Sequence, residues 1–197
     1  MKKKITTSYW EILLREEASS LPSLKFFRPH FMSLSRPHPI LSSAGSSPAK
    51  VCKATVQSWF LSGRYRTESL LKHWSSNKGG CCLLSFDCQD VIEDVEHVLQ
   101  LCPALDVTRK NLLEFNEVFI KKLELPDIGI LIRQLCSPKN EYFCQFLIDC
   151  SSLPQVIILA QHYGPSILRP LYEVSRTWIF SLHRERLRRL GRWNSGG

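Results

Sequence analysis

The chain has 197 residues, 44% of them hydrophobic, and 26 Lys and Arg against 18 Asp and Glu give a formal net charge of +8. That length and apolar content support one or two small domains with a real core, and they exclude collagen-like and wholly disordered classes. The charge is uneven, at +5 over residues 1–50, +4 over 51–80, −4 over 81–110, −2 over 111–165 and +5 over 166–197. An anionic partner is therefore expected to touch the flanks rather than the acidic middle.

Met1-Lys-Lys-Lys looks like the basic opening of a signal peptide, but Glu11, Arg15, Glu16 and Glu17 interrupt any apolar stretch after it. The expected location is intracellular, nuclear or cytoplasmic, and not secreted. In a reducing compartment the eight Cys are expected as free thiols or metal ligands rather than disulfides. Residues 6–18 read as a short helix with Trp10, Leu13 and Leu14 on one face. Residues 19–50 hold five of the eleven Pro among many Ser and read as an extended connector. Phe26, Phe27 and Phe31 in that connector predict that it lies against a surface.

Val51, Thr55 and Trp59 suggest a helix running to about Ser62, where Gly63 breaks it. Thr67 is positioned to cap a second helix carrying Leu70, Leu71 and Trp74. Trp59 and Trp74 fall on apolar faces and are expected in the core. Further helical spans follow over 105–122, 126–136, 140–149, 153–162 and 169–190, with Pro170 in the first turn of the last, where its missing N–H does no harm. Strand signals are weak. No run approaches the ~20 apolar residues of a bilayer span. Leu153 to Ala160 is too short and holds Pro154 and Gln155, so no membrane partner is expected. The fold class is mainly α, with little or no sheet. The chain divides into an N-terminal helical segment (1–18), a connector (19–50), a module over 51–110 and a C-terminal helical region with a basic tail (111–197).

The stretch Cys82-x5-Cys88-x8-His97-x4-Cys102 carries the chemistry. Three thiolates and one imidazole satisfy a tetrahedral zinc ion and leave no open position, so the site is structural rather than hydrolytic. Asp90 is placed to cap a helix with Glu93 and Asp94 in its first turn. At helical pitch the five-residue step from His97 to Cys102 rotates about 140° off one face. Both residues reach one ion only if the helix ends or unwinds near Leu101. Cys81 competes with Cys82 for the first ligand position, and the spacing does not decide between them.

Three runs belong together: Leu61-Ser-Gly-Arg-Tyr-Arg-Thr-Glu-Ser-Leu-Leu-Lys-His-Trp, Gly80-Cys-Cys-Leu-Leu and Glu93-Asp-Val-Glu-His-Val-Leu-Gln-Leu-Cys-Pro. Over roughly residues 51–110 they resemble the reverse-transcriptase zinc-binding region of non-LTR (LINE-type) retrotransposons. That region pairs two Cys with an acidic-x-x-His-x4-Cys-Pro helix, matched here from Asp94 to Pro103. The tail from Trp178 to Trp193 is more loosely similar to the basic end of such polyproteins. The resemblance implies a nucleic-acid-binding accessory segment, with ligand roles at Cys82, Cys88, His97 and Cys102. One departure is that the first Cys pair is separated by five residues rather than two; with two, the second position would fall at Ser85. The identity of the first two ligands stays open at this point.

A reverse transcriptase needs adjacent aspartates plus a third to hold two divalent metals, and the sequence contains no Asp-Asp pair. Pro126-Asp127 lacks the acidic-x-Lys unit of a restriction-like endonuclease. The expected function is therefore non-catalytic binding of RNA or DNA through basic flanks. At the helix junction, Arg64, Arg66 and Lys72 could neutralise phosphates and Tyr65 could stack on a base. On the last helix, Arg184, Arg188 and Arg189 cluster with Arg186 and Arg192 near its end. The alternatives are a helical interaction segment docking on a polymerase domain and a relic fragment of a mobile element. Cys136, Cys144 and Cys150 are expected as buried free thiols.

Overall fold

A computed structural model describes residues 38–42, 44, 45, 47–74 and 79–191, together with Glu16, Leu21 and residues 24–26. The expected helix over 6–18, most of the connector and Arg192 lie outside the described residues. Eight α-helices follow in order among those described: α1 (Pro39–Ser42), α2 (Pro48–Leu61), α3 (Glu68–Trp74), α4 (Asp106–Ile120), α5 (Pro126–Leu135), α6 (Phe143–Asp149), α7 (Pro154–Tyr163) and α8 (Leu168–Arg189). No strand forms among them, and the one ladder contact is an isolated antiparallel bridge between Cys81 and Ile92. The fold is mainly helical with a Cys3His cluster, as the sequence predicts.

Local chemistry sets the helix boundaries. Pro48, Pro126 and Pro154 each occupy the first helical turn, where a missing amide is harmless and a fixed φ helps. The Thr67 hydroxyl accepts from the Leu70 amide at 3.3 Å and caps α3. Gly63 closes α2 at φ +66°, a left-handed conformation that suits glycine. Residues 140–142, expected as helix, form a turn because the Asn140 side chain accepts from the Tyr142 amide at 2.8 Å.

The core is organised around α8, which packs on α2, α4 and α6. Its expected apolar face holds, since Leu171, Val174, Trp178 and Leu182 are fully buried. The Trp178 indole meets the edge of Phe143 and donates to Asn116 Oδ1 at 3.0 Å, so its single polar atom is satisfied. The face of α2 differs from expectation. Val51, Thr55 and Trp59 point outward, while Ala54, Gln57, Phe60 and Leu61 point inward. Gln57 can be buried because its amide donates to Leu147 O at 2.7 Å and Ser175 Oγ at 3.1 Å. Such a polar residue inside the stripe conceals the true face from a reading of hydrophobic periodicity.

The stretch Phe143–Tyr163 matches a membrane span in length and apolar composition, although polar residues interrupt its apolar run. It folds instead as α6, a 3₁₀ turn at Cys150–Ser152 and α7. Most of its most apolar window is buried inside the fold. Cys136, Cys144 and Cys150 are buried free thiols, and burial raises the pKa of all three.

Candidate metal centre and basic groove

The metal segment is a loop closed on itself. Cys82 N–H donates to Val91 O at 2.8 Å, Glu93 N–H to Gly80 O at 3.0 Å and Val91 N–H to Cys88 O at 3.0 Å. Val91 is therefore engaged through both backbone groups, and the helix expected from Asp90 does not form there. The cap is Asp94 instead, whose carboxylate accepts from the His97 amide at 2.7 Å. A π-helical turn then runs over His97–Leu101, and the Cys102 amide closes it on His97 O at 2.7 Å. Hydrogen bonding from i to i+5 widens the turn, so residues five apart come close to one face. This is the local unwinding that the His97–Cys102 spacing demands. The 3₁₀ turn Phe86–Cys88, capped by the Ser85 hydroxyl, similarly lets Cys88 return to Cys82 across a five-residue gap.

Ligand atoms of Cys82, Cys88, His97 and Cys102 all lie within 4.8 Å of one another, and all four residues are buried. The Cys102 sulfur is 3.8 Å from that of Cys82 and 4.0 Å from that of Cys88. A tetrahedral ion with metal–sulfur bonds of ~2.3 Å has sulfur–sulfur edges of about 3.8 Å, so the residues fit a metal. Cys81 stands apart, its thiol directed to Gly79 O, so the first ligand position belongs to Cys82. Neither ring nitrogen of His97 has a hydrogen-bond partner, an unusual state for a buried polar group; a metal would engage one of the two. Burial lowers the His97 pKa, which keeps a lone pair free. Burial likewise raises the Cys82 and Cys102 thiols, opposed by the Leu84 and Ala104 amides at the two sulfurs. Those amides favour the thiolate form that binds metal. The Arg109 guanidinium, itself buried, donates to Cys102 O and to Asp106 Oδ1 and fixes the end of the turn.

The same segment supplies a buried ion pair. The Glu93 carboxylate accepts from Arg186 of α8 at 2.5 Å and from the Glu68 amide at 2.9 Å, and Glu68 lies 3.9 Å from the Arg186 guanidinium. Arg186 also sits 5.5 Å over the Tyr65 ring. This network ties the metal segment to α3 and α8, and nothing in the residue pattern separates Arg186 from its exposed neighbours. Tyr65 is 4% exposed. Its ring stacks on Phe60 at 3.6 Å, and its hydroxyl meets His183 Nδ1 at 3.2 Å. The expectation that Tyr65 stacks on a base is corrected accordingly: its ring is part of the core.

Trp59 exchanges roles with it. It is 41% exposed and lines a groove of about 650 Å³ with Arg64, Tyr65, Arg66, His183, Arg186 and Leu187. Arg64 and Arg66 are exposed and make no ion pair with any described residue. Lys72 and Arg184 are also exposed but lie outside the groove lining. Arg188 and Arg189 both hydrogen-bond Glu185, at 2.7–2.8 Å. Of the seven expected nucleic-acid contacts, Arg64, Tyr65 and Arg66 line this groove. Comparison with family models, curated proteins and solved structures gives no match to the chain.

Proposed function

We propose that the chain is a non-catalytic zinc module that binds RNA or DNA, of the kind found after the polymerase domain of LINE-type reverse transcriptases. Zinc is the ion best suited to three thiolates and one imidazole in a closed tetrahedron. Four protein ligands leave no position for an activated water, so the metal's role is to hold the loop and, through Glu93 and Arg186, the groove. The observation that carries the reading is the pair Arg64 and Arg66, exposed and without acidic partners among the described residues, beside that held segment. Unpaired guanidiniums are free to displace counterions from phosphates.

Cobalt(II) titration of the metal-free chain tests the first half, with one equivalent and tetrahedral d–d bands expected. Anisotropy of a labelled oligonucleotide over a salt series tests the second. Affinity should fall with salt, and the Arg64→Ala/Arg66→Ala double variant should flatten the log–log slope by about 1.4–1.8, or roughly 0.7–0.9 for each phosphate contact removed. A salt-independent affinity would overturn the reading. A second reading, docking on a polymerase domain, draws on the exposed Leu83, Phe86, Ile92 and Leu101 of the metal segment, of which Phe86 is 90% exposed. A soluble polymerase domain that binds the wild type but not Phe86→Ser would support it.

A further inference from the structure

We infer that the groove beside Trp59 takes an unpaired nucleobase, so that the chain grips single-stranded rather than duplex nucleic acid. This rests on the nucleic-acid reading above and adds what the groove recognises. The rim and the floor differ in chemistry. At the rim stand Arg64 and Arg66, exposed and unpaired among the described residues, together with the accessible indole of Trp59. At the floor lie Tyr65, His183 and Arg186, each committed to an internal contact. Glu93 neutralises the Arg186 charge. Burial, with the adjacent Arg186, holds the His183 pKa down at about 4, so its imidazole is neutral near pH 7. A charge-compensated floor suits an uncharged heterocycle, and a cationic rim suits the phosphates on either side of it.

Trp59 supplies the stacking surface. Its ring stands 6.0 Å from His183 at 77°, and its helix neighbour Phe60 is fully buried, so the indole is held at the groove by a helix anchored in the core. The volume of about 650 Å³ lies within the roughly 300–1,000 Å³ of sites that enclose small organic ligands. A duplex offers base edges in its grooves but keeps base faces stacked inside, and must unstack to meet Trp59. A single strand carries no such cost, and base–aromatic stacking tolerates any sequence.

The test compares a labelled oligothymidine strand with a duplex hairpin of matched length, both bound to the full chain. Trp59→Ala should weaken the single strand by roughly 5- to 150-fold and leave the hairpin within about twofold, while Trp59→Phe restores most of the loss. Circular dichroism checks that the variants fold, as expected for a half-exposed side chain. If Trp59→Ala leaves the single strand unchanged while Arg64→Glu/Arg66→Glu weakens both probes, the base site is overturned and the basic surface stands. If the wild type binds neither probe at low salt, both readings fall.

Discussion

Two arginine clusters that look alike in the sequence reach opposite physical states. Arg64 and Arg66, between α2 and α3, are solvated and unpaired among the described residues. On α8, Arg186 is buried against Glu93, and Arg188 and Arg189 share Glu185. The α8 cluster carries the greater formal charge, yet Arg186, Arg188 and Arg189 spend theirs on Glu93 and Glu185, leaving Arg184 as the exposed member of that cluster without an acidic partner among the described residues. A guanidinium already desolvated against a carboxylate has little left to offer a phosphate, because the internal pair must first be broken. Charge near a chain terminus therefore overstates what a partner meets, and the groove is better marked by two isolated arginines than by the denser cluster.

The largest effect that separates the clusters is on stability. Glu93→Gln removes the charge facing Arg186 and leaves a buried cation with Glu68 at 3.9 Å as its remaining acidic neighbour. Breaking a buried pair from one side costs about 3–5 kcal/mol, and Glu68 places the expected loss near the lower end. Arg64→Gln, at an exposed position, should stay within about 0.5 kcal/mol. Urea unfolding measures both, and equal losses would dissolve the distinction. A Glu93→Leu/Arg186→Met pair removes both charges together and should recover part of the stability, the rest staying lost because the buried Glu68 amide no longer has its acceptor and the Glu68 carboxylate no longer has Arg186 nearby.

Next in size is a pH effect confined to the groove floor. His183 titrates at about 4 in the folded chain against a usual value of 6.5, owing first to burial and then to Arg186. The folded state therefore resists protonation while the unfolded state accepts it. Stability contributed by the neutral ring is complete above about 6.5 and is lost as the pH falls from there towards about 4, on the order of 3 kcal/mol in all. Thermal melts at steps of pH should show this fall in the wild type. The slope should be shallower in His183→Gln, whose remaining dependence reports the metal ligands and carboxylates. Identical slopes in the two chains would remove His183 from the account.

Much of the helical framework was legible because local rules set it. Pro126 and Pro154 mark helix starts, Thr67 caps α3 and Gly63 ends α2, whereas Pro48, expected in an extended connector, opens α2. The ligand types were legible too, because three Cys and a His within a short span have few structural uses. The conformations that join them were not. The π turn is a response to closing Cys102 on the cluster, and Asp94 displaces Asp90 as cap because Val91 pairs across the loop. Trp59 and Tyr65 occupy each other's expected places for a geometric reason. After Gly63 the chain reverses, and the Arg64 and Tyr65 amides both return to Trp59 O at 2.8 and 3.0 Å. That reversal lays Tyr65 on Phe60 and leaves Trp59 outside, a three-dimensional outcome that no periodicity along α2 encodes.

The smallest expected effect gives the closest test of pairing itself. Arg188 is exposed, and a solvated pair of this kind adds little to stability, so Arg188→Ala should barely shift a melting curve. Its effect on oligonucleotide binding should be similarly slight, because Glu185 already offsets part of the local charge. Glu185 is held down to a pKa of about 2, chiefly by hydrogen bonding from Arg188, and so remains ionised throughout the range in which binding is measured. Glu185→Gln takes that offset away and frees Arg188 and Arg189 together. Affinity should then rise and its salt slope steepen, by up to about 0.9 for each arginine that reaches a phosphate, whereas Arg64→Ala moves the slope the other way. If Arg188→Ala flattens the slope as much as Arg64→Ala does, exposed pairing does not mask an arginine here. The α8 cluster would then join the groove as one continuous phosphate track.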